Sequence, residues 1–488
     1  MRIDVQELTI AKARHALENQ KFSCVDLVSA CFERIRSHDG DVHAFLSLNE
    51  EAALEQAREV DRKIKHNEPL GALSGIPVAI KDIIATRGLA TTAASKILEN
   101  FVPAHDATVV AKLKEAGAII VGKVNCDEFA HGSSTENSAF GPSRNPWDLE
   151  RSPGGSSGGS SAALAAGFCL AALGTDTGGS TRQPAGWCNL YGLRPTYGRV
   201  SRHGIISMTS STDTPGIFAK TAEDTALLLS VLAGGDPSHD ATSLPSEARE
   251  YQSKLNQSIR GLKIGLPKEF FEESTHPASE EVISRAIAQF ETLGATIKHI
   301  SLPHTKYGVA VYYIITPSEL SSNLSRFDGV RYGHRSEKAH TLMEAYTKTR
   351  GENFGPEAKR RIMLGTYALS SGYYDAYYKK AQKVRTVISN EVKKVLNEVD
   401  VLLTPVSPHP AITLGEKSDD PLAMYLEDVY MMTSVMAGIP AISIPAGFAD
   451  GLPVGVQLMG KQLDEAALLA AAHQYEQATN WTTQHAKL

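Results

Sequence analysis

The stretch from Pro153 to Ser161 limits this chain more than any other. Every residue after the proline is glycine or serine, and the run passes without a polar break into Ala162-Ala163-Leu164-Ala165-Ala166. A Gly/Ser tract between polar segments reads as a flexible linker. One that feeds an apolar helix signal reads instead as backbone brought close to something, because glycine tolerates positive φ and near contact. A second such site follows. Leu170 to Leu173 reads as a buried strand, and Gly174-Thr175-Asp176-Thr177-Gly178-Gly179-Ser180 as the loop after it. Successive N–H groups in such a loop can converge on one point, which is how an oxyanion hole is made. Taken alone, the loop is equally an ordinary β-turn.

Two other chemistries fit parts of these segments. A phosphate-binding loop needs a following Lys-Ser/Thr, which the Gly/Ser run lacks. Gly117 to Lys123 does match GxxxxGK, but its interior is Ala-Ile-Ile-Val and Val124 follows, so it reads as a strand with no hydroxyl for Mg²⁺. Gly154-Gly155-Ser156-Ser157-Gly158 fits the GxSxG nucleophile elbow, which also needs an acid and a histidine. His409 and His473 are available, yet His473 within Ala470 to Tyr475 reads as a helix-surface residue.

Elsewhere helix and strand signals alternate. The first 70 residues read as helical, with an N-cap signal at Ser23 and Asp26 and a charged helix over 49–65. Ile76 to Ile80 reads as a short buried strand with Lys81 and Asp82 at its end. Further helices are expected at 106–116, 157–167, 221–233, 279–293, 369–398 and 463–478. Further strands are expected at 118–121, 262–266, 400–404, 441–445 and 454–459. This alternation predicts an α/β sheet with helices on both faces. No internal repeat and no linker divides the chain, so 1–488 is expected to form one large domain: a helical part over 1–70, a core over 71–210 and the remainder over 211–488.

Composition narrows the function. Apolar residues make up 42% of the 488, enough for a large core. With 49 basic and 55 acidic residues the net charge is -6, which offers no basic footprint for nucleic acid. The five cysteines, Cys24, Cys31, Cys126, Cys169 and Cys188, show no CxxC spacing and fit a reducing compartment. The 16 histidines form no cluster of zinc-site spacing. Met1-Arg2-Ile3-Asp4-Val5, with early acids and no apolar run, is not expected to begin an export signal. Ser161 to Gly174, the least polar long stretch, falls short of the roughly 20 residues of a membrane helix. A cytoplasmic enzyme is expected.

Lysine is charged in water and can act as a base only where its surroundings disfavour the ammonium. Burial at the end of an apolar strand would do that for Lys81; an ion pair with Asp82 would do the opposite. Three segments together resemble the amidase signature family: Gly75 to Asp82, Gly154 to Ser160, and Asp176 to Ser180. The resemblance implies a mixed sheet flanked by helices and a Ser–cis-Ser–Lys triad. Asp127 to Ala130, Gly132 to Pro142, Asn145 to Asp148, Ser321 to Asn323, Arg326 to Gly333 and Lys359 to Tyr378 are similar to those members that release ammonia from glutamine for a tRNA-dependent amidotransferase. The resemblance covers residues 5–481. Thr181, His131 and Leu320 depart from its common pattern.

What the resemblance implies for the site is specific. Lys81 is the base, Ser156 the relay and Ser180 the nucleophile. The N–H groups of Thr177, Gly178, Gly179 and Ser180 form the oxyanion hole. Arg360 binds the carboxylate of glutamine and Asp428 its ammonium, with Tyr312, Tyr313, Ser133 and His131 lining the pocket. Read without it, Lys359-Arg360-Arg361 is also a solvated helix face, Asp428 beside Glu427 a surface acid, and the two tyrosines core residues. The chain itself is expected to use no cofactor and no metal. ATP and Mg²⁺ are expected to serve a partner, the B subunit, which receives ammonia and amidates Glu-tRNA(Gln) or Asp-tRNA(Asn). A small third partner, the C subunit, is expected to hold a heterotrimer together. The competing expectations are a stand-alone amidase acting on a small amide, and a silent scaffold of the same fold.

Overall fold

The computed structural model describes residues 3–245, 250–271 and 276–488. Met1 and Arg2, on which the reading of the chain start partly rests, lie outside them. The described residues carry one mixed eleven-stranded sheet, built in chain order from β1 (Phe45–Leu48), β2 (Pro77–Lys81), β3 (Ile119–Val124), β4 (Ala171–Thr175), β5 (Tyr191–Arg194), β6 (Pro215–Ala219), β7 (Lys263–Pro267), β8 (Thr296–Ile300), β9 (Val401–Pro405), β10 (Ala441–Ala449) and β11 (Leu452–Gly460). The spatial order is β1-β3-β2-β4-β6-β5-β10-β11-β9-β7-β8. The α/β class and the large mixed sheet agree with the sequence.

Every residue of β2 to β6 is buried, so both faces of this half are covered. That is why β2, β3 and β4 read as short apolar runs rather than alternations. β3, β2 and β4 are parallel neighbours. Parallel strands need crossovers, and the helices Thr108–Glu115 and Gly158–Ala165 lie within them. Val78, Ala79 and Ile80 of β2 pair with Ala171, Ala172 and Leu173 of β4, so the two strands end side by side. Lys81 and Thr175 therefore leave the sheet together at its carboxyl edge, where α/β sheets place ligands.

Several local expectations hold. Ser23 and Asp26 form a reciprocal capping box on the helix Cys24–Val42, and 49–65 contains the helix Glu50–Lys65. Gly117 to Lys123 runs into β3, with no glycine loop between strand and helix. His473 lies on the helix Glu465–Gln477 and is partly buried.

Others are corrected. The first 70 residues are not all helical, because Phe45–Leu48 forms β1 and pairs antiparallel with β3 at the sheet edge. β5 and β6 were not foreseen: each is short and contains glycine, and pairing rather than propensity makes them strands. β8 is an edge strand with Thr296, His299 and Lys298 exposed, too polar to stand out. The helix expected over 369–398 starts later, as Tyr378–Val395, and Ser370 to Tyr377 separate it from a helix that was not foreseen, Pro356–Leu369. Gly308–Asn323 is helical despite its β-branched run and Pro317. Among the described residues no helix is long and apolar enough to cross a membrane. The five cysteines are free and buried.

Candidate active site

Lys81 ends β2 with its side chain fully buried. Its Nζ donates to Ser156 Oγ at 2.8 Å and Ser157 Oγ at 2.9 Å, and lies 3.0 Å from Thr175 Oγ1. Successive side chains on a strand face opposite ways, so Asp82 turns from this cluster. The Asp82 carboxylate accepts from the Thr92 N–H at 2.9 Å and pairs with buried Lys123 at 3.4 Å. The ion pair that would have held Lys81 charged is thus made by Lys123 instead. Burial lowers the Lys81 pKa to about 8, against the opposing pull of Cys126, Asp127, Asp213 and Asp176.

Ser156 follows a cis peptide bond with Gly155. Gly155 is required by space: a Cβ there would stand 2.3 Å from the Asp127 carboxylate and 2.5 Å from the Ser134 backbone nitrogen. Ser157 Oγ lies 3.2 Å from the Thr175 carbonyl, so the two glycine loops touch beside Lys81. Gln183 ties them again. Its Oε1 accepts from the Gly155 N–H at 3.0 Å, and its Nε2 donates to the Ser133 carbonyl at 3.0 Å. Gln183 lies three residues beyond Ser180, on the helix Arg182–Trp187.

The second loop is built around Asp176. Its buried carboxylate is held by Arg182 at 3.0 Å and Arg194 at 2.9 Å, and these cations keep it well below the usual carboxylate range despite desolvation. The same carboxylate accepts from the Gly179 N–H at 3.1 Å and the Thr181 N–H at 3.3 Å. Among the four expected oxyanion donors, Gly179 is therefore already engaged. The N–H groups of Thr177, Gly178 and Ser180 meet no protein acceptor among the described residues. Ser180 is 8% exposed, whereas Lys81 and Ser156 are at 0%.

A second cluster centres on a buried carboxylate. Asp428 is buried and accepts from Ser133 Oγ at 2.9 Å and the Tyr313 hydroxyl at 3.1 Å. Burial raises its pKa to about 7, while those two bonds and Arg361 pull it back. Tyr312 is buried, and a Cβ on Gly178 would lie 2.5 Å from its hydroxyl, so it packs on the oxyanion loop. His131 is fully buried, both ring nitrogens lack a partner among the described residues, and burial holds its pKa well below the usual value.

Arg360 does not join this cluster. It is largely exposed and pairs with Glu357. The helix Pro356–Leu369 buries Ala358, Arg361, Gly365 and Ala368, spaced as one helical face; Arg361 lies on that face and Arg360 off it. Arg361 Nε donates to Glu357 Oε1 at 2.7 Å, and its guanidinium lies 5.3 Å from the ring centres of both Tyr313 and Tyr425. Its terminal amino groups have no hydrogen-bond acceptor among the described residues. Sequence reasoning missed Arg361, although this periodicity could have found it. It also missed Gln183, Asp176 as a hub and Glu128, whose partners lie far off in the chain. Among the described residues no group of three or more His, Cys, Asp or Glu side chains could hold a metal ion.

A buried amine among hydroxyls, beside a loop of open main-chain donors, defines a site suited to serine-dependent acyl transfer. Residues 26–469 match the Amidase family. The A subunit of glutamyl-tRNA(Gln) amidotransferase from Carboxydothermus hydrogenoformans is 53% identical over 486 residues, covering 100% of both chains. The crystal structure of the A subunit of glutamyl-tRNA(Gln) amidotransferase from Thermotoga maritima aligns with TM-score 0.80 at 42% identity, over 97% of this chain and 95% of that one. A bacterial aryl acylamidase of the amidase signature enzymes aligns with TM-score 0.85 at 26% identity, over 98% and 97%. The chain belongs to the amidase signature family.

Proposed function

We propose that this protein is the glutaminase subunit of a tRNA-dependent amidotransferase, hydrolysing glutamine to glutamate and ammonia. The observation that carries the reading is a Lys81 amine with three hydroxyl partners and no carboxylate among them. The names of full-length relatives above half identity support the same assignment.

In the proposed chemistry, neutral Lys81 draws a proton from Ser156 as Ser156 takes one from Ser180, and Ser180 Oγ attacks the side-chain amide carbon. A hydroxyl suits the middle position because it donates and accepts at once. The N–H groups of Thr177, Gly178 and Ser180 stabilise the oxyanion; Gly179 shapes the loop while bound to Asp176. The proton returns through Ser156 to the leaving nitrogen, the C–N bond breaks and ammonia departs. Water then attacks the glutamyl-Ser180 ester, releasing glutamate and restoring the serine hydroxyl.

Glutamine carries one charge of each sign, and the second cluster offers one of each. Asp428, oriented by Ser133 and Tyr313, takes the ammonium. Arg361 takes the carboxylate, since a planar guanidinium fork on the inner helix face suits it better than exposed Arg360. His131 and Tyr312 close the pocket. The B and C subunits complete a cytoplasmic heterotrimer, in which the former handles ATP, Mg²⁺ and the misacylated tRNA, Glu-tRNA(Gln) or Asp-tRNA(Asn).

The test is ammonia release from glutamine by the full chain, alone and with co-expressed partners, charged tRNA and ATP. Release that depends on glutamine and rises with the partners supports the reading. Turnover of simple aryl or acyl amides in preference to glutamine would favour the stand-alone amidase, which the aryl acylamidase similarity supports.

A further inference from the structure

The loop carrying Ser133 begins near a carboxylate that the chemistry above leaves unused. Glu128 is 2% exposed and forms no ion pair among the described residues. Its Oε1 accepts from Ser95 Oγ at 2.5 Å, and its Oε2 accepts from the Gly355 N–H at 2.8 Å. Gly355 is the N-cap of the helix Pro356–Leu369 and offers no capping side chain. The start of a helix holds unsatisfied N–H groups and the positive end of the dipole, so a carboxylate brought there from elsewhere stabilises it. The approach is close: a Cβ on Gly355 would lie 2.6 Å from Glu128 Oε2.

The other end of this contact leads back to β2. The Phe129 N–H donates to the Ala93 carbonyl at 2.8 Å, and the Thr92 N–H donates to Asp82, the residue after Lys81. Five residues beyond Glu128, Ser133 holds Asp428. Glu128 thus joins the segment bearing the Ser133–Asp428 pair to the helix bearing Arg361. Burying a carboxylate is costly without good partners, and an uncharged hydrogen-bonding residue could cap Gly355 alone. Glu128 reaches both sides, one oxygen to Ser95 and the other to Gly355.

We propose that Glu128 is a positioning residue that fixes the spacing between Arg361 and the Ser133–Asp428 pair, and so sets affinity for a zwitterionic amino-acid amide rather than the rate of amide cleavage. The proposal rests on the substrate reading given above. Its test uses the full chain carrying Glu128→Ala, Glu128→Gln or Gly355→Ala. Three quantities are measured: KM and kcat for glutamine, the rate of Ser180 sulfonylation by phenylmethanesulfonyl fluoride, and hydrogen exchange at the first turn of the helix Pro356–Leu369.

Glu128→Ala is expected to raise KM about tenfold or more with kcat within about threefold, to leave sulfonylation unchanged and to speed exchange at that turn. Glu128→Gln keeps an acceptor for Gly355 and should restore most of the affinity. Gly355→Ala should raise KM with Glu128 intact. A parallel loss of kcat and sulfonylation with KM unmoved overturns the proposal, as does unchanged exchange in Glu128→Ala. If the unaltered chain is sulfonylated yet ignores glutamine, the substrate reading fails; the exchange comparison then decides the clamp by itself.

Discussion

Lys81 and Asp82 are neighbours in sequence with opposite fates. One meets hydroxyls, the other a lysine, because a strand sends them to opposite faces. The base must be unprotonated to act, and its pKa is lowered to about 8. Turnover at saturating glutamine should therefore rise with pH through about 8, read as the acid limb of a kcat profile. Lys81→Ala should lower kcat by about 10³-fold or more at any pH. The role proposed for Asp428 has the opposite charge requirement: it must be ionised to hold an ammonium, and burial puts its pKa at about 7. Glutamine KM should accordingly climb as pH falls below about 7, and a flat KM profile would count against its role. The two arginines give a sharper contrast. Arg361→Gln should raise KM about 100-fold, since a charged hydrogen-bonding pair is lost. Arg360→Gln should stay within about twofold, since Arg360 is exposed and lies off the buried helix face.

The two glycine loops show what local composition can and cannot say. That each brings backbone close to a ligand was legible from the freedom of glycine, whereas their meeting at one point was implied only by the family resemblance. The bond from the Gly179 N–H to Asp176 was not, because it depends on Arg182 and Arg194 fixing that carboxylate. Gly179→Ala should abolish Ser180 labelling by a sulfonyl fluoride while leaving the far-ultraviolet circular dichroism intact. Its φ is +119, and a new Cβ would stand 2.4 Å from Met431. At the other end of the molecule, Ser23→Ala removes a capping box that the sequence did reveal. It should cost about 1 kcal/mol in chemical denaturation and leave catalysis alone. Helix caps are legible because their partners lie three residues apart. β1, β5, β6 and β8 were not, because each becomes a strand only through a neighbour distant in the chain.

Seen as a whole, the sheet gathers β2, β3 and β4 at one carboxyl edge, and Ser133, from between β3 and β4, meets Asp428 and its partner Tyr313 from far along the chain. Asp428 and Ser133 are separated by 295 residues yet bond at 2.9 Å. The N-terminal segment is drawn into the same body. Buried Lys220 donates to the carbonyls of Val5, Gln6 and Leu8 at 2.8 to 3.0 Å, and Asp224 accepts from the Ile10 N–H at 2.9 Å. Lys220→Met should lower the thermal midpoint, because three carbonyls lose a buried donor. Proteolysis would then begin within the first ten residues.

From the chain alone came the α/β class, the two glycine loops, the lysine upstream of them and the family those residues resemble. Each is written in short-range pattern, whether the period of an element, the freedom of glycine or the order of a motif. The tertiary structure decided which neighbour of a pair meets the serines, Lys81 rather than Asp82, which faces inward, Arg361 rather than Arg360, and which N–H groups stay open. Those outcomes follow from strand register, helix phase and competition for buried hydrogen-bond acceptors, all of which require the whole chain to be in place.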